Sequence, residues 1–570
     1  SFFSSHQDPC RHCNGCASLM ACGDLNLSVV LPSGTEVLPK TAFKAQDRIA
    51  ILRSKAEEVH GDKLSFLSSP NGNILPDNAT LEASGVQDGD IITALVNDSA
   101  LVSRALAAIP LVLQEAFADA GSLQDRRILY SGQGAVLCLG ASGLGGFSSM
   151  ESLLLERRGA ALSHILKDFL EIQIDSIVAF GGDVITFSGD SIMAYFPAVD
   201  DTKNPNYRPE LPSCGIVGSP EAEPLATAVT RASACCMELK ARSASLSAEE
   251  SAVHLSLHIG ISCGKVHMLQ VGGVKPSQSD VPQFQWVMFG DALELANMAS
   301  SFSFDGEICL FAEAWEFVKG IAVEGPPNED LPDVHHLLLF DETSCSVAVV
   351  KQAAAEYSRR AQVASLFRSS DVNTISKYVS SPAYSLHCEM GDEMRSMSVI
   401  FMSTSGASHD MGMEGAAEAL HQLVNAVQEI CCTHEGMLLK LVNEGGMLMW
   451  NMAFGVPPLV HDDDPTRAVF ASLDIVAALG KLEVNGRLGV TTGFGTCYPM
   501  GNPCRLDLAP SGISVSLAAR LMANAGRQMI LCDGETQAKC DASVSFGPSS
   551  EIRVKGRVDP VTVHPAVGRK

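Results

Sequence analysis

No stretch of about 20 uncharged apolar residues occurs in the chain, which argues against a helical membrane span. Basic residues are also in short supply. Forty Lys and Arg against 65 Asp and Glu give a formal charge of −25, which opposes binding to nucleic acid or anionic lipid and still allows a locally basic nucleotide pocket. No basic-plus-apolar leader follows Ser1, so a secretory signal is either absent or already removed. Also missing are a glycine-rich phosphate loop with Lys-Ser/Thr after it, a zinc-protease helix and a nucleophile elbow. The common routes to phosphate transfer by a P-loop, metalloproteolysis and serine hydrolysis are therefore not written in the chain.

What is present is bulk. At 570 residues with 46% hydrophobic content, two or more cores are expected, because domains usually hold about 100–200 residues. Eighteen cysteines include the neighbours Cys235-Cys236 and Cys431-Cys432 inside apolar helical patterns, as expected of buried thiols in a reducing compartment; the predicted location is cytoplasmic. Cys10, Cys13, Cys16 and Cys22 in the tail 1–23 have the ligand type and close spacing to hold zinc as thiolates. No second pair at knuckle spacing follows, so an oxidation-prone tail without metal is the expectation.

Residues 24–98 read as a separate module. Leu25 to Leu31 alternates like a strand, Pro32-Ser-Gly-Thr marks a turn, and Gln46 to His60 has helical spacing with Ile49, Leu52 and Val59 on one side. Short strand-like runs follow, closing at Ile91 to Val96. The segment resembles a ubiquitin-like β-grasp domain. It has no diglycine end near Val96, so a docking or stabilising role for an unnamed partner is implied rather than conjugation. Residues 99–129 read as a helical linker. Asp200 to Pro224 reads as a proline-bearing surface insertion.

The rest of the chain repeats itself, and internal repeats outrank single motifs as a signal. Ser163 to Phe180 leads into the apolar hairpin Val184 to Phe196 with Asp190 at its tip, then into Leu255 to Gly264 and Trp286 to Met298. Leu420 to Glu435 leads into the hairpin Gly436 to Trp450, then into Arg487 to Gly495 and Ser511 to Arg520. Helix, hairpin, glycine-flanked strand and glycine-started helix occur in the same order twice. Asp190 by itself is ordinary turn chemistry. As one member of the repeated set it becomes a candidate metal ligand.

That order resembles the class III nucleotidyl cyclase domain, and two unequal copies resemble the tandem catalytic halves of soluble, bicarbonate-responsive adenylyl cyclases. Phe187-Ser-Gly-Asp-Ser-Ile-Met-Ala-Tyr-Phe196, Asp464-Pro-Thr-Arg-Ala468 and Val515-Ser-Leu-Ala-Ala-Arg520 carry the likeness. The resemblance implies an α+β chain in which two ferredoxin-like cyclase domains, 130–345 and 393–570, joined by a linker 346–392, pair within the chain as a pseudo-symmetric heterodimer. It implies conversion of ATP to cyclic AMP and pyrophosphate with Mg²⁺ or Mn²⁺ held by two aspartates of the first half. Asp190 matches one of them. Gly140 stands where the other belongs, so the metal site is expected to be weak or incomplete, and neither Asp125 nor Asp183 repairs it.

The same resemblance assigns Lys440 to the adenine ring and places its acceptor companion at Ala509, whose side chain cannot accept. Ser516 and Arg520, one turn apart on one helix face, fall where the family orients ribose and stabilises phosphate charge. Arg520 can contact a phosphate bidentately; Ser516 replaces an asparagine. The mirror pocket carries Thr186, Glu294 and Met298, a set without a cation, so neither a second triphosphate site nor bicarbonate recognition is supported. His254 and His258 share one strand face and are expected to pack or bond locally. Two readings result. One is a soluble adenylyl cyclase working at a single site. The other is a degenerate pseudocyclase acting as a nucleotide-binding regulatory or assembly module.

Overall fold

The computed structural model describes residues 24–30, 36–60, 66–70, 75, 79–95, 98–120, 126–142, 159–188, 191–198, 223–246, 256–276, 281–304, 306–327, 331–341, 346–354, 360–364, 366–367, 371–379, 395–405, 412–540, 542–554 and 559–570. The N-terminal cysteines, Asp125, Asp190, His254 and nearly all of the insertion after residue 199 lie outside the described residues. Two compact units divide at Asp98/Ser99.

In the first unit, β1 (Asp24–Val30), β2 (Glu36–Lys44), α1 (Ile49–His60), β3 (Phe66–Ser68) and β4 (Ile91–Leu95) form a helix and a mixed sheet of order β2-β1-β4-β3. β1 runs antiparallel to β2 and parallel to β4. Leu27 and Val29, two apart and so on one sheet face, are fully buried with Phe43, Leu67, Leu81 and Ile92. From α1 the core takes Ile49, Leu52 and Ala56. Val59, expected on the same side, is exposed; at 3.6 residues per turn Ala56 follows Ile49 by about two turns, whereas Val59 has rotated off the face.

The second unit begins with α2 (Asp98–Ala107) and α3 (Leu111–Ala120). Its first half holds β5 (Ile128–Ser142), α4 (Gly159–Ala179), β6 (Asp183–Ser188), β7 (Ser191–Pro197), α5 (Glu223–Leu246), β8 (Ser256–Val274), β9 (Gln283–Phe289), α6 (Asp291–Ser301), β10 (Ile308–Phe311), α7 (Ala312–Val318), β11 (Ala322–Glu324) and β12 (Val334–Phe340). After the connecting helices α8 (Val347–Ala354), α9 (Arg360–Ala364) and α10 (Val372–Ile375), the second half holds β13 (Arg395–Ser405), α11 (Gly412–Thr433), β14 (Met437–Glu444), β15 (Met447–Phe454), α12 (Asp464–Lys481), β16 (Gly486–Asn502), β17 (Arg505–Ser511), α13 (Ile513–Asn524), β18 (Met529–Asp533), α14 (Gly534–Cys540), β19 (Val544–Phe546), β20 (Ser550–Ile552) and β21 (Val561–Arg569). β5 is one continuous strand, paired along its length with β8.

The sheets repeat each other. The first has the order β6-β7-β5-β8-β10-β12-β11, with β9 attached to β8. The second runs β14-β15-β13-β16-β18-β21-β19, with β17 attached to β16. Each long hairpin reaches into the other half's core. Leu269, Val271, Val287 and Phe289 of β8–β9 are buried among the second half's Leu420, Val424 and Trp450. Met500 of β16–β17 is buried with the first half's core. Polar bonds follow the same exchange: Gln428 Oε1 accepts from Gly273 N at 3.2 Å, and Asn502 Nδ2 donates to Asp175 Oδ1 at 2.7 Å. Of the paired cysteines, Cys235, Cys236 and Cys431 are fully buried, and burial pushes the Cys432 thiol up to about 11.

Candidate functional site

β14 places Lys440 in an apolar strand, bulged against β15 between Leu438 and Lys440. Only 7% of the residue is exposed. An ammonium so buried needs an anion and hydrogen-bond acceptors, and both are present. Lys440 Nζ lies 2.9 Å from Asp507 Oδ2 and donates to Phe187 O of the first half at 2.6 Å. Burial lowers its pKa, and the Asp507 carboxylate opposes that shift. Two of its three donors are therefore spent within the chain.

Arg505 is the residue that the sequence reasoning missed. It is fully buried, and its Nε donates to Val184 O at 2.9 Å while Nη2 donates to Ile185 O at 2.9 Å. Nη1 donates to Ala108 O at 3.1 Å, to Ala107 O at 3.3 Å and to Leu506 O. The guanidinium lies 5.7 Å from the Phe187 ring centre and 5.8 Å from that of Trp286, within cation–π range. Asp507 Oδ2 is 4.0 Å away. Burial lowers the Arg505 pKa as well, with Asp507 and Asp183 opposing. Strand periodicity was the available signal: Arg505, Asp507 and Ala509 are spaced by two on β17 and so share a face.

The space left between these groups is small. A cavity of about 30 Å³, partly open to solvent and lined by Thr186, Gln285, Trp286, Lys440, Asp507 and Tyr378 among others, has room for a few waters. Thr186 and Gln285 occupy in the first half the repeat positions that Lys440 and Asp507 occupy in the second. The connecting segments pack around it. Tyr378 stacks on Phe284 with ring centres 5.5 Å apart, meets Phe117 of α3 edge-on at 5.0 Å, and donates through its hydroxyl to Gln270. Asp183, buried, accepts from Val112 N at 3.0 Å and pairs with Arg360 at 3.0 Å. Its carboxylate thus ties α3 and α9 to the sheet.

Gly140 is opposite His258 in the β5–β8 ladder. A Cβ built on Gly140 would overlap the His258 imidazole, so that ring occupies the space into which a side chain at position 140 would project. The position offers no carboxylate and little room for one, and it does not fit a two-metal site built on two aspartates. Gly140→Asp is expected to destabilise by about 1–3 kcal/mol through overpacking. Adding His258→Ala should return most of that loss, as thermal melts of the two variants will show.

Ser516 and Arg520 lie on α13, both partly exposed, behind a helix start at Gly512 with φ 142°. Among the described residues the Arg520 side chain has no ion-pair partner. Ala509 pairs with Tyr498 in the β16–β17 ladder. In the mirror position Glu294 of α6 faces the β14–β15 hairpin at Gly446, where a Cβ would come within 3.8 Å of its carboxylate, and Met298 is exposed. The structure thus brings Lys440 together with Asp507 and Arg505, and keeps Ser516 and Arg520 together on the neighbouring helix.

No protein-family model matches the chain. It is 20% identical over 452 residues to adenylate cyclase type 10 of Mus musculus, covering 75% of this chain and 26% of that protein. To the Homo sapiens adenylate cyclase type 10 it is 19% identical over 406 residues, covering 66% and 23%. The chain spans about a quarter of the length of these curated relatives. Among solved structures, a class III adenylyl cyclase-like ATP-binding protein from Pseudomonas aeruginosa covers 77% of this chain and 92% of its own, with TM-score 0.44 and 12% identity. An adenylyl cyclase from the same organism covers 31% and 97%, with TM-score 0.28 and 22% identity. By sequence, the proteins this chain resembles are class III nucleotidyl cyclases, and among them adenylate cyclase type 10.

Proposed function

We propose that this chain is a cyclase-like protein that does not cyclise ATP: a pseudocyclase whose paired halves serve as a regulatory or assembly module. One observation carries the reading. At the base-recognition position the lysine is neutralised by Asp507 and the neighbouring volume is taken up by Arg505, so that a small cavity, partly open to solvent, remains among the described residues. Gly140 beneath the His258 ring supports it from the metal side. The mixed sheet of residues 24–95 has the strand order and the single helix of a β-grasp, which supports a ubiquitin-like domain suited to docking a protein partner in the cytosol.

The adenylyl cyclase reading has its own support in the sequence similarity and in Arg520, whose guanidinium is uncommitted among the described residues. In that reading Asp190 holds Mg²⁺ or Mn²⁺, Lys440 and the Ala509 backbone meet the adenine, and Ser516 and Arg520 meet the ribose and phosphate.

Cyclic AMP formation from ATP with excess Mn²⁺, measured beside Asp190→Ala, separates the two. The expected result is no product above the variant. Product that disappears in Asp190→Ala would establish a one-carboxylate cyclase instead. ATP-dependent thermal stabilisation, which follows occupancy rather than turnover, then reports whether nucleotide binds at all.

A further inference from the structure

We propose that Glu307, Cys309 and His336 form a zinc site on the outer part of the first half's sheet, away from the position assigned to nucleotide. Strand geometry builds it. Cys309 on β10 and His336 on β12 are directly opposed in an antiparallel pair, and Glu307 precedes Cys309 by two, which puts it on the same face. Their ligand atoms all lie within 4.8 Å of one another. His336 Nδ1 is 3.5 Å from Glu307 Oε2 and 3.9 Å from Cys309 Sγ.

Those separations are close to what zinc requires. Bond lengths of about 2.0–2.1 Å to nitrogen and oxygen and about 2.3 Å to sulfur, at tetrahedral angles, place N···O at about 3.4 Å and N···S at about 3.6 Å. The carboxylate of Glu307 and Sγ of Cys309 lie within 4.8 Å of each other, so a movement of up to about 1 Å by the partly exposed Glu307 side chain closes the site. The donor set is one imidazole, one thiol and one carboxylate, which suits a borderline divalent ion and not Mg²⁺ or Ca²⁺. Glu307 Oε2 is already oriented by Phe304 N at 2.9 Å, the kind of supporting bond that ligands carry. Cys309 is fully buried, His336 is largely buried and Glu307 is partly open to solvent. The fourth position accordingly opens on the Glu307 side, to water or to a donor from another molecule. Binding replaces the thiol proton of Cys309, which passes to solvent, and uses the tautomer of His336 with its proton on Nε2.

The test uses the full chain, stripped with chelator and titrated with Co²⁺, followed by displacement with Zn²⁺. A thiolate-to-cobalt charge-transfer band should appear, saturate at about one equivalent per chain and be bleached by zinc. It should vanish in Cys309→Ser and His336→Gln and persist in a Cys10→Ser/Cys13→Ser/Cys16→Ser variant. Glu307→Gln changes a partly exposed side chain and leaves the core intact; it should weaken affinity at least about tenfold with an unchanged circular dichroism spectrum. No band, a band indifferent to Cys309 and His336, or a band lost only in the N-terminal variant would overturn the assignment and leave the three residues as a hydrogen-bonded cluster.

Discussion

Asp507→Asn is expected to lower the unfolding free energy of the second unit by about 3–5 kcal/mol, the usual cost of removing one partner of a buried ion pair. The side chain keeps its shape and loses only its charge, so the measured change isolates electrostatics from packing. Two cations depend on that carboxylate: Lys440 at 2.9 Å and Arg505 at 4.0 Å. Both are already pushed down by burial, with Asp507 as the first opposing influence. Lys440→Met combined with Asp507→Leu should recover a large part of the loss, because well-packed apolar residues often replace a buried pair at little net cost. Arg505 retains its carbonyl acceptors and Asp183 in that background. A double-mutant cycle on urea unfolding, followed by tryptophan fluorescence to which Trp286 beside Arg505 contributes, gives the coupling. A loss below about 1 kcal/mol for Asp507→Asn, the range of exposed pairs, would mean that water screens the site and that the base position is open.

The same pair marks how far the sequence can be read. Lys440 stands in an apolar strand, and the need for a partner follows from the cost of a bare buried ammonium. Its partner could not be named, because Asp507 comes from a hairpin 67 residues later whose path depends on exchange between the two halves. The family pattern pointed to Ala509 instead, one alternation further along β17. For Arg505 the periodicity of β17 was the one local signal, and it names no partner: its acceptors include carbonyls of α2, the turn after it and β6, and a backbone carbonyl leaves no trace in residue identity. Asp183, set aside from the sequence as a replacement metal ligand, is bonded to Val112 and Arg360, partners that its neighbours in the chain do not indicate. Elements were more legible than partners. The helices that follow Gly290 and Gly512 start where the sequence placed them, the hairpin Val184 to Phe196 is present, and the hairpin read as Gly436 to Trp450 is present and runs on to Phe454. Hydrophobic period and turn chemistry are local, whereas the site is made by segments far apart in the chain.

The repeat also predicts where small substitutions act strongly on both halves. Gly260 and Gly489 hold corresponding places in β8 and β16, and each is pressed against the helix that starts with glycine. A Cβ on Gly489 would collide with Ala518 O and Met522 N of α13; on Gly260 it would collide with Ala296 O and Ser300 N of α6. In both cases the obstacle is backbone, which cannot rotate away as a side chain can. Gly489→Ala and Gly260→Ala should each therefore cost about 3 kcal/mol, the upper part of the overpacking range, despite adding a single methyl group. Their consequences for the site should differ. α13 carries Ser516 and Arg520, so displacement by Gly489→Ala should also raise amide hydrogen exchange along that helix, while Gly260→Ala should do so along α6. Equal melting losses with helix-specific exchange would identify these glycines as the contacts that set each helix against its sheet. If Gly489→Ala melts like the parent, α13 is free to shift, and its arginine is held in place by something other than the strand beneath it.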